Sequence, residues 1–436
     1  MGKFPDEIRP GTDIMNVIIF TDTFLPKIDG VAISVENFCR ILSDSGHSFL
    51  IFCPRYGKDD TDSLSENIKI IRFKNASLPS YPDIKIVIPS YKKIKKAIIE
   101  FQPDLIHIQT PGLLGQYGVT AAKKFAIPLI GTNHTLVSEQ HTYISLYRLL
   151  KIDVMIRYIR SKKKVKKRLH KIERKSDTSF KKMIILKLCN RLYEAGERII
   201  SPSHLIKEEL FGYGITKPID VISNGIDLDT FLGTYKSKPS DTPRLLHVGR
   251  ISYEKNCDVV LNAFALILKD TDATLDIIGD GPALNSLKQQ ARDLHVEKRV
   301  HFPGFIAHNS LPEVYRNYDL FLTASTMETQ GLVVLEAMAG GLPCIGVKSY
   351  ALPELIHDGR NGFICAPYNH IEMAEKTLSL LKNHEKYCDF SRQSLKIALE
   401  HDVHKCAREL ESVYKLTIDN FNEKSPSEPV SASTIT

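Results

Sequence analysis

Short apolar runs rich in β-branched residues alternate with helical patterns along most of the chain. Asn16–Phe20 (NVIIF) shows no polar alternation, which predicts a strand covered on both faces. A helix from about Val31 to Leu42 follows, with Val35, Phe38, Cys39 and Leu42 on one face at helical spacing. Gly46 is placed to close it, and Ser48–Cys53 reads as the next strand. Further strands are expected at Ile68–Phe73, Leu105–Gln109, Pro128–Thr132 and Arg198–Ser201. The rhythm restarts after Pro243, with strands at Arg244–Val248, Thr274–Ile278, Asp319–Thr323 and Pro343–Val347. Helices lie between them, including Asp258–Leu268 and Leu332–Ala339. Strand and helix in alternation predict an α/β fold with parallel sheets under helical layers. Two successive sets predict two doubly wound domains facing a cleft, with ligands at the carboxyl ends of the strands. The polar, Pro-rich stretch Lys236–Pro243 (KSKPSDTP) reads as an interdomain connection or an exposed loop.

The length of 436 residues supports two domains of roughly 200 residues each. With 43% hydrophobic and 25% charged residues, the composition is that of a globular protein. No run of about 18 apolar residues predicts a spanning helix, and MGKFPDEIRPGTD lacks the apolar core of a signal peptide. Eight cysteines without a C-x-x-C pair predict reduced thiols in a cytosolic compartment and argue against a zinc site. The net charge of +7 is uneven. Between Arg157 and Lys187, fourteen Lys or Arg face two acids, so the remaining chain is mildly acidic.

Candidate chemistry concentrates in the second half. Gly249-Arg250 follows a predicted strand, and Lys255 comes five residues later in GRISYEK. A loop beyond a parallel strand is a place for phosphate, to which Arg offers a planar fork and Lys a point charge; alternatively the two are solvated surface cations. The stronger signal runs from Glu328 through Gly331, Leu332, Val333 and Glu336 to Pro343 (ETQGLVVLEAMAGGLP). It places free backbone amides at the start of an apolar helix, where phosphate is attracted, and Gly331 permits close approach. Glu328 precedes that helix, in reach of sugar hydroxyls. Glu336 lies further along it, and its carboxylate suits a vicinal diol such as ribose. The dehydrogenase fingerprint G-x-G-x-x-G is missing, since Gly279-Asp-Gly281-Pro-Ala-Leu lacks its third glycine, and no P-loop is present.

These features, with F-L-P-K-I-D before Gly30, Ser201-Pro-Ser203, Asn224-Gly-Ile-Asp227 and I-I-G-D-G-P at Ile277–Pro282, occur in an order that resembles the retaining glycosyltransferases of family 4, group 1. The resemblance covers roughly residues 15 to 420. It implies the GT-B fold, two Rossmann-like domains facing a cleft, divided as residues 1–222, which bind acceptor, and 223–402, which bind nucleotide sugar. It further implies a C-terminal crossover helix over 403–424, and the small polar residues 425–436 are expected to be disordered. Carried to this chain, the resemblance implies that Arg250 and Lys255 bind the donor diphosphate and stabilise the leaving nucleotide. Glu328 is implied to contact the donor sugar, Glu336 to hold the ribose, and the amides of Gly331, Leu332 and Val333 to approach sugar and phosphate. Gly249 precedes the cationic pair, Gly30 is implied to lie near the diphosphate, and His134, in G-T-N-H-T, to face the sugar. No cofactor or metal is required on this reading, because the cations fill the role of a divalent ion. Asp227-Leu-Asp229 resembles a D-x-D metal motif but reads here as part of the connecting N-G-I-D segment.

The basic segment within residues 151–198 carries Ile152, Met155, Ile156 and Ile159 at helical spacing, with cations on the other face. A basic amphipathic helix suits an anionic membrane surface; packing on its own domain is the alternative, and no nucleic-acid-binding motif accompanies it. The stretch from Pro79 to Pro89, and G-T-N-H-T followed by Glu139 and Tyr143, are similar to segments of diacylglycerol glucosyltransferases and sulfoquinovosyl transferases. The expected reaction is thus transfer of a hexose from UDP-glucose or UDP-galactose to a lipid such as diacylglycerol, by a peripheral protein on the cytoplasmic face of the membrane. The alternatives are a GDP-mannose-dependent mannosyltransferase acting on phosphatidylinositol or a lipid-linked saccharide, and a non-catalytic nucleotide-sugar or membrane-binding module.

Overall fold

The computed structural model describes residues 14–57, 62–78, 81–134 and 189–424. The chain divides into two compact units. The first comprises residues 1–201, 209–220 and 409–436, and the second residues 202–208 and 221–408.

The first unit is built on strands β1 (Asn16–Phe20), β2 (Ser48–Pro54), β3 (Ser63–Ser65), β4 (Ile68–Phe73), β7 (Leu105–Ile108), β8 (Leu129–Thr132), β9 (Arg198–Ser201) and β10 (Ile219–Val221). Their order is β10-β9-β8-β7-β1-β2-β4-β3, parallel from β9 to β4, with β3 antiparallel at the edge. Strand order reverses between β1 and β7. β5 (Asn75–Leu78) and β6 (Tyr81–Val87) form a separate antiparallel hairpin. Apolar runs with no alternation become strands buried on both faces, as in β1 and β2, where only the first residue is half-exposed. The helix Gly30–Asp44 begins where the Asp29 carboxylate accepts the Ala32 amide at 3.0 Å. It ends where Gly46 adopts φ +99° and His47 N donates to Leu42 O. Val35, Cys39 and Leu42 of the expected apolar face are buried, while Phe38 is half-buried.

The second unit contains β11 (Arg244–Val248), β12 (Thr274–Ile278), β13 (Val300–Gly304), β14 (Leu320–Leu322), β15 (Cys344–Val347) and β16 (Gly362–Cys365). All pairs are parallel, in the order β13-β12-β11-β14-β15-β16. This is the doubly wound Rossmann order, whose direction reverses between β11 and β14. Its core joins β11, β12, β14 and β15 to the helices Cys257–Ile267, Leu332–Ala339, His370–Leu381 and His384–Glu400. The Lys236–Pro243 stretch lies inside this unit. Asp319 holds it by accepting from Ser240 N and Oγ and from Arg244 N.

Every strand expected from the sequence is present, with ends shifted by at most one residue. The unexpected ones are short or lie at edges. β10 has three residues, and β13 includes a proline and alternates in burial. The Pro79–Pro89 stretch, noted only for its resemblance, supplies β6. All eight cysteines are free; seven are buried and Cys388 is half-buried. Burial pushes the thiols of Cys189, Cys257 and Cys365 up to about 12. No helix among the described residues is long and apolar enough to cross a membrane. Residues 135–188, which hold most of the basic segment together with Glu139 and Tyr143, lie outside the described residues, as does the 425–436 tail.

Candidate active site

In the second unit the expected residues gather at the carboxyl ends of β11 and β14, on either side of the point where strand order reverses. Gly249 leaves β11 with φ +153°. The loop after β12 packs directly beneath: a Cβ on Gly279 would lie 1.9 Å from Gly249 O, and one on Gly281 would lie 2.2 Å from Ile251 O. Ile251 N donates to Asp280 O, and Ala283 N to Ile251 O. The I-I-G-D-G-P motif therefore braces the cationic loop by backbone contact that only glycine allows. Above it, the Arg250 guanidinium is exposed and bonds to no described residue.

Lys255 ends a 3-10 turn, Tyr253–Lys255, and its ammonium pairs with Glu328 at 2.5 Å. Both side chains are largely withdrawn from water, at 21% and 13% exposure. Burial works to raise the Glu328 carboxyl, but the charge and hydrogen bond of Lys255 outweigh it and hold the group below its ordinary value. Asn256, in the left-handed conformation with φ +47°, ties the two loops together. Its Nδ2 donates to Glu254 O, Ala324 O and Thr326 Oγ1. Beneath the pair, His247 Nδ1 donates to Leu322 O at 2.9 Å, and its Nε2 faces Cys257 Sγ at 3.3 Å. Burial lowers this imidazole to about 4, so it is a neutral support at physiological pH.

Gly331, with φ +96°, caps the helix Leu332–Ala339. The amides of Gly331, Leu332 and Val333 donate to no described residue, which leaves a free helix N-terminus at the switch point. Its approach is fixed by Gln330, which is buried. The Gln330 carbonyl accepts Asn224 N at 3.0 Å, and its amide donates to Ser223 Oγ. The N-G-I-D segment thus buttresses this loop. Asp227 caps the short helix Leu228–Phe231, and Phe231 packs its ring on His308 and Tyr315.

Glu336 turns to a different neighbour from Glu328. It is buried, with Oε2 accepting from Tyr315 Oη at 2.8 Å and Oε1 facing His308 Nε2 at 3.1 Å. The sequence spacing placed both carboxylates beside one helix but not on separate supports. Tyr315→Phe is expected to cost about 1–3 kcal/mol through the lost donor to a buried carboxylate, read as a lower urea midpoint.

The two remaining candidates belong to the first unit. Gly30 is the first residue of its helix, next to the capping Asp29. His134 lies two residues beyond β8. Its Nε2 bonds Gln109 Oε1 at 2.7 Å, and burial lowers its pKa to about 4. The sequence drew no attention to His247, Asn256, Gln330 or Gln109. Their one signal is polarity within or beside an apolar run, which many residues share. Among the described residues, no group of three or more His, Cys, Asp or Glu is placed to hold a metal.

Comparison with known proteins bears on what this arrangement does. Residues 28–230 match the model Glycosyltransferase Family 4, and residues 235–396 match Glycosyl transferases group 1. An alpha-monoglucosyldiacylglycerol synthase of Streptococcus pneumoniae is 32% identical over 79% of this chain and 74% of its own length. A GDP-mannose-dependent alpha-mannosyltransferase of Mycobacterium tuberculosis is 24% identical over 87% of this chain and 92% of its own. Among solved structures, HepE of Anabaena in complex with UDP and glucose superposes with a TM-score of 0.70 at 21% identity, over 92% of this chain and 100% of that one. That likeness establishes the GT-B fold. The protein is a glycosyltransferase, and the chain belongs to family 4, group 1.

Proposed function

We propose that this protein is a retaining hexosyltransferase that moves glucose or galactose from UDP to diacylglycerol in an anionic membrane, working from its cytoplasmic face. The observation that carries the reading is the convergence of Arg250, Lys255, Glu328 and three free amides on one sheet's switch point. The Streptococcus relative, a monoglucosyldiacylglycerol synthase, supports glucose and diacylglycerol. The HepE complex with UDP and glucose supports the donor class.

In this reading the bond between the anomeric carbon and the diphosphate oxygen breaks with oxocarbenium character. The acceptor hydroxyl attacks the same face and passes its proton to the departing phosphate oxygen. Charge therefore grows on the diphosphate, and the chain's task is to meet it with groups already in place. Arg250 supplies a fork, Lys255 a point charge, and the amides of Gly331, Leu332 and Val333 a helix terminus. Glu328 receives sugar hydroxyls and Glu336 the ribose diol. These cations take the place of a divalent metal, so EDTA is expected to leave the rate unchanged; a fall restored by Mg²⁺ would contradict this.

The deciding measurement is transfer of radiolabelled hexose from UDP-glucose, UDP-galactose and GDP-mannose to vesicles containing anionic lipid with diacylglycerol or phosphatidylinositol. A UDP-hexose and diacylglycerol should give a labelled glycolipid. The second reading, GDP-mannose-dependent mannosylation of phosphatidylinositol, is favoured by the Mycobacterium relative and would replace the first if only that pair reacts. Neutralising six cations between Lys162 and Lys175 is expected to weaken binding to anionic vesicles, most clearly at low salt. Unchanged binding would remove the basic segment from the membrane contact.

A further inference from the structure

β7 and β8 are neighbours, with His107 opposite Ile130 and Ile108 opposite Gly131. Gln109 and His134 therefore leave the carboxyl edge of the sheet side by side. Gln109 is 5% exposed, and its carbonyl oxygen lies 2.7 Å from His134 Nε2. A carbonyl oxygen only accepts, so Nε2 must carry the hydrogen. The other ring nitrogen, Nδ1, then holds a lone pair, and it meets no described residue.

The amide end of Gln109 is fixed from behind. Its Nε2 sits 3.3 Å from both ring nitrogens of His107, which places an N–H over that ring. His107 is itself clamped, with Nε2 to Thr132 Oγ1 at 2.6 Å and Nδ1 to Tyr414 Oη at 2.7 Å. His107 and Tyr414 are each 1% exposed. Burial holds His107 down at about 3, so the ring stays neutral and cannot swing the amide round by charge. Asp29 acts on His134 in the opposite sense to burial, favouring its protonated form, but burial prevails. A chain of buried polar groups, from Tyr414 through His107 and Gln109, ends on one ring nitrogen of His134.

We propose that Gln109 is a positioning residue for glycosyl transfer: it locks His134 as the Nε2–H tautomer, so that Nδ1 is the acceptor nitrogen offered to a sugar hydroxyl. This rests on the reading of His134 as a group that faces the sugar. Sequence pattern does not reveal it, because a glutamine after Leu-Ile-His-Ile looks like any polar residue leaving a strand.

The test combines imidazole ¹⁵N spectra with kinetics. In histidine-labelled protein, the His134 signals, assigned by their loss in His134→Gln, should show Nε2–H and a bare Nδ1. Gln109→Leu should mix the tautomers and lower kcat for the UDP-hexose reaction about 10-fold or more, with the donor KM within about 2-fold. Gln109→Glu keeps an acceptor at that place. It should restore the tautomer and raise the pH at which His134 titrates, since a carboxylate beside the ring favours imidazolium. If Gln109→Leu misfolds, the Gln109→Glu titration alone decides. An unchanged His134 tautomer in folded Gln109→Leu, or an unshifted His134 titration in Gln109→Glu, would overturn the inference. Full activity in His134→Gln, together with the expected tautomer shift in Gln109→Leu, would instead overturn the role of His134.

Discussion

Lys255→Ala is expected to lower hexose transfer by at least about 100-fold, the scale seen when a preorganised donor to developing charge is removed. The same change should also weaken the fold. It leaves Glu328 ionised and largely buried without its cation, a loss on the order of 3 kcal/mol. The two effects separate through pH. In the native protein the Glu328 carboxyl is held below its ordinary 4.5, so the pair's contribution is present above that pH and is lost as pH falls through the depressed value. Without Lys255 the two strongest influences that lower the carboxyl are gone, and burial, the largest of all, is opposed only by Ser325 and His247, so the carboxyl rises. The variant then loses stability as pH rises through the raised value. The melting gap between native and variant protein should therefore widen from pH 5 to pH 8. A second variant, Lys255→Met with Glu328→Gln, removes both charges and should recover much of the lost stability while transfer stays absent. A double variant that transfers sugar at the native rate would remove the pair from catalysis. A gap that does not depend on pH would mean that Glu328 is not the group left exposed to burial.

Gly279→Val is the second large effect. The residue has φ +138°, and any Cβ would fall 1.9 Å from the carbonyl oxygen of Gly249, a backbone atom that cannot step aside alone. The loop carrying Arg250 must move, or the β12 end must. The expected destabilisation is about 4 kcal/mol, a fall in melting temperature of roughly 8–16 °C for a unit of this size. If the proposed donor site is right, UDP should bind far more weakly even where the variant stays folded, because the loop carrying Arg250 rests on that contact. Gly214→Ala serves as the control: it also has positive φ, at +84°, but a Cβ there meets nothing within 4 Å. Comparable losses in the two variants would show that backbone conformation, and not the close approach, is the cause.

The difference between these glycines also shows what was legible in the chain before its structure. The strands that build the two sheets were readable because parallel strands buried on both faces leave unbroken apolar runs. β3, β10 and β13 were not, since three residues or an edge position leave no such run. The site was legible as a set of charged and glycine positions in order. What joins them was not. Glu328 and Glu336 are eight residues apart on paper, and the distinction between a carboxylate held by Lys255 and one held by Tyr315 and His308 arises from long-range packing. The same holds for Gln330 and Asn256, whose amides bind loops together across large sequence separations.

The eight free thiols have a practical consequence. Seven are buried, and for several the burial that raises the thiol also suppresses the reactive thiolate. Cys388 alone is half-buried, on a helix of the second unit far along the chain from the candidate site. Replacing it with serine leaves a background nearly silent to maleimides. A single cysteine introduced on the surface of either unit would then carry a spectroscopic label at a chosen place, reporting on that unit alone when a nucleotide sugar is added.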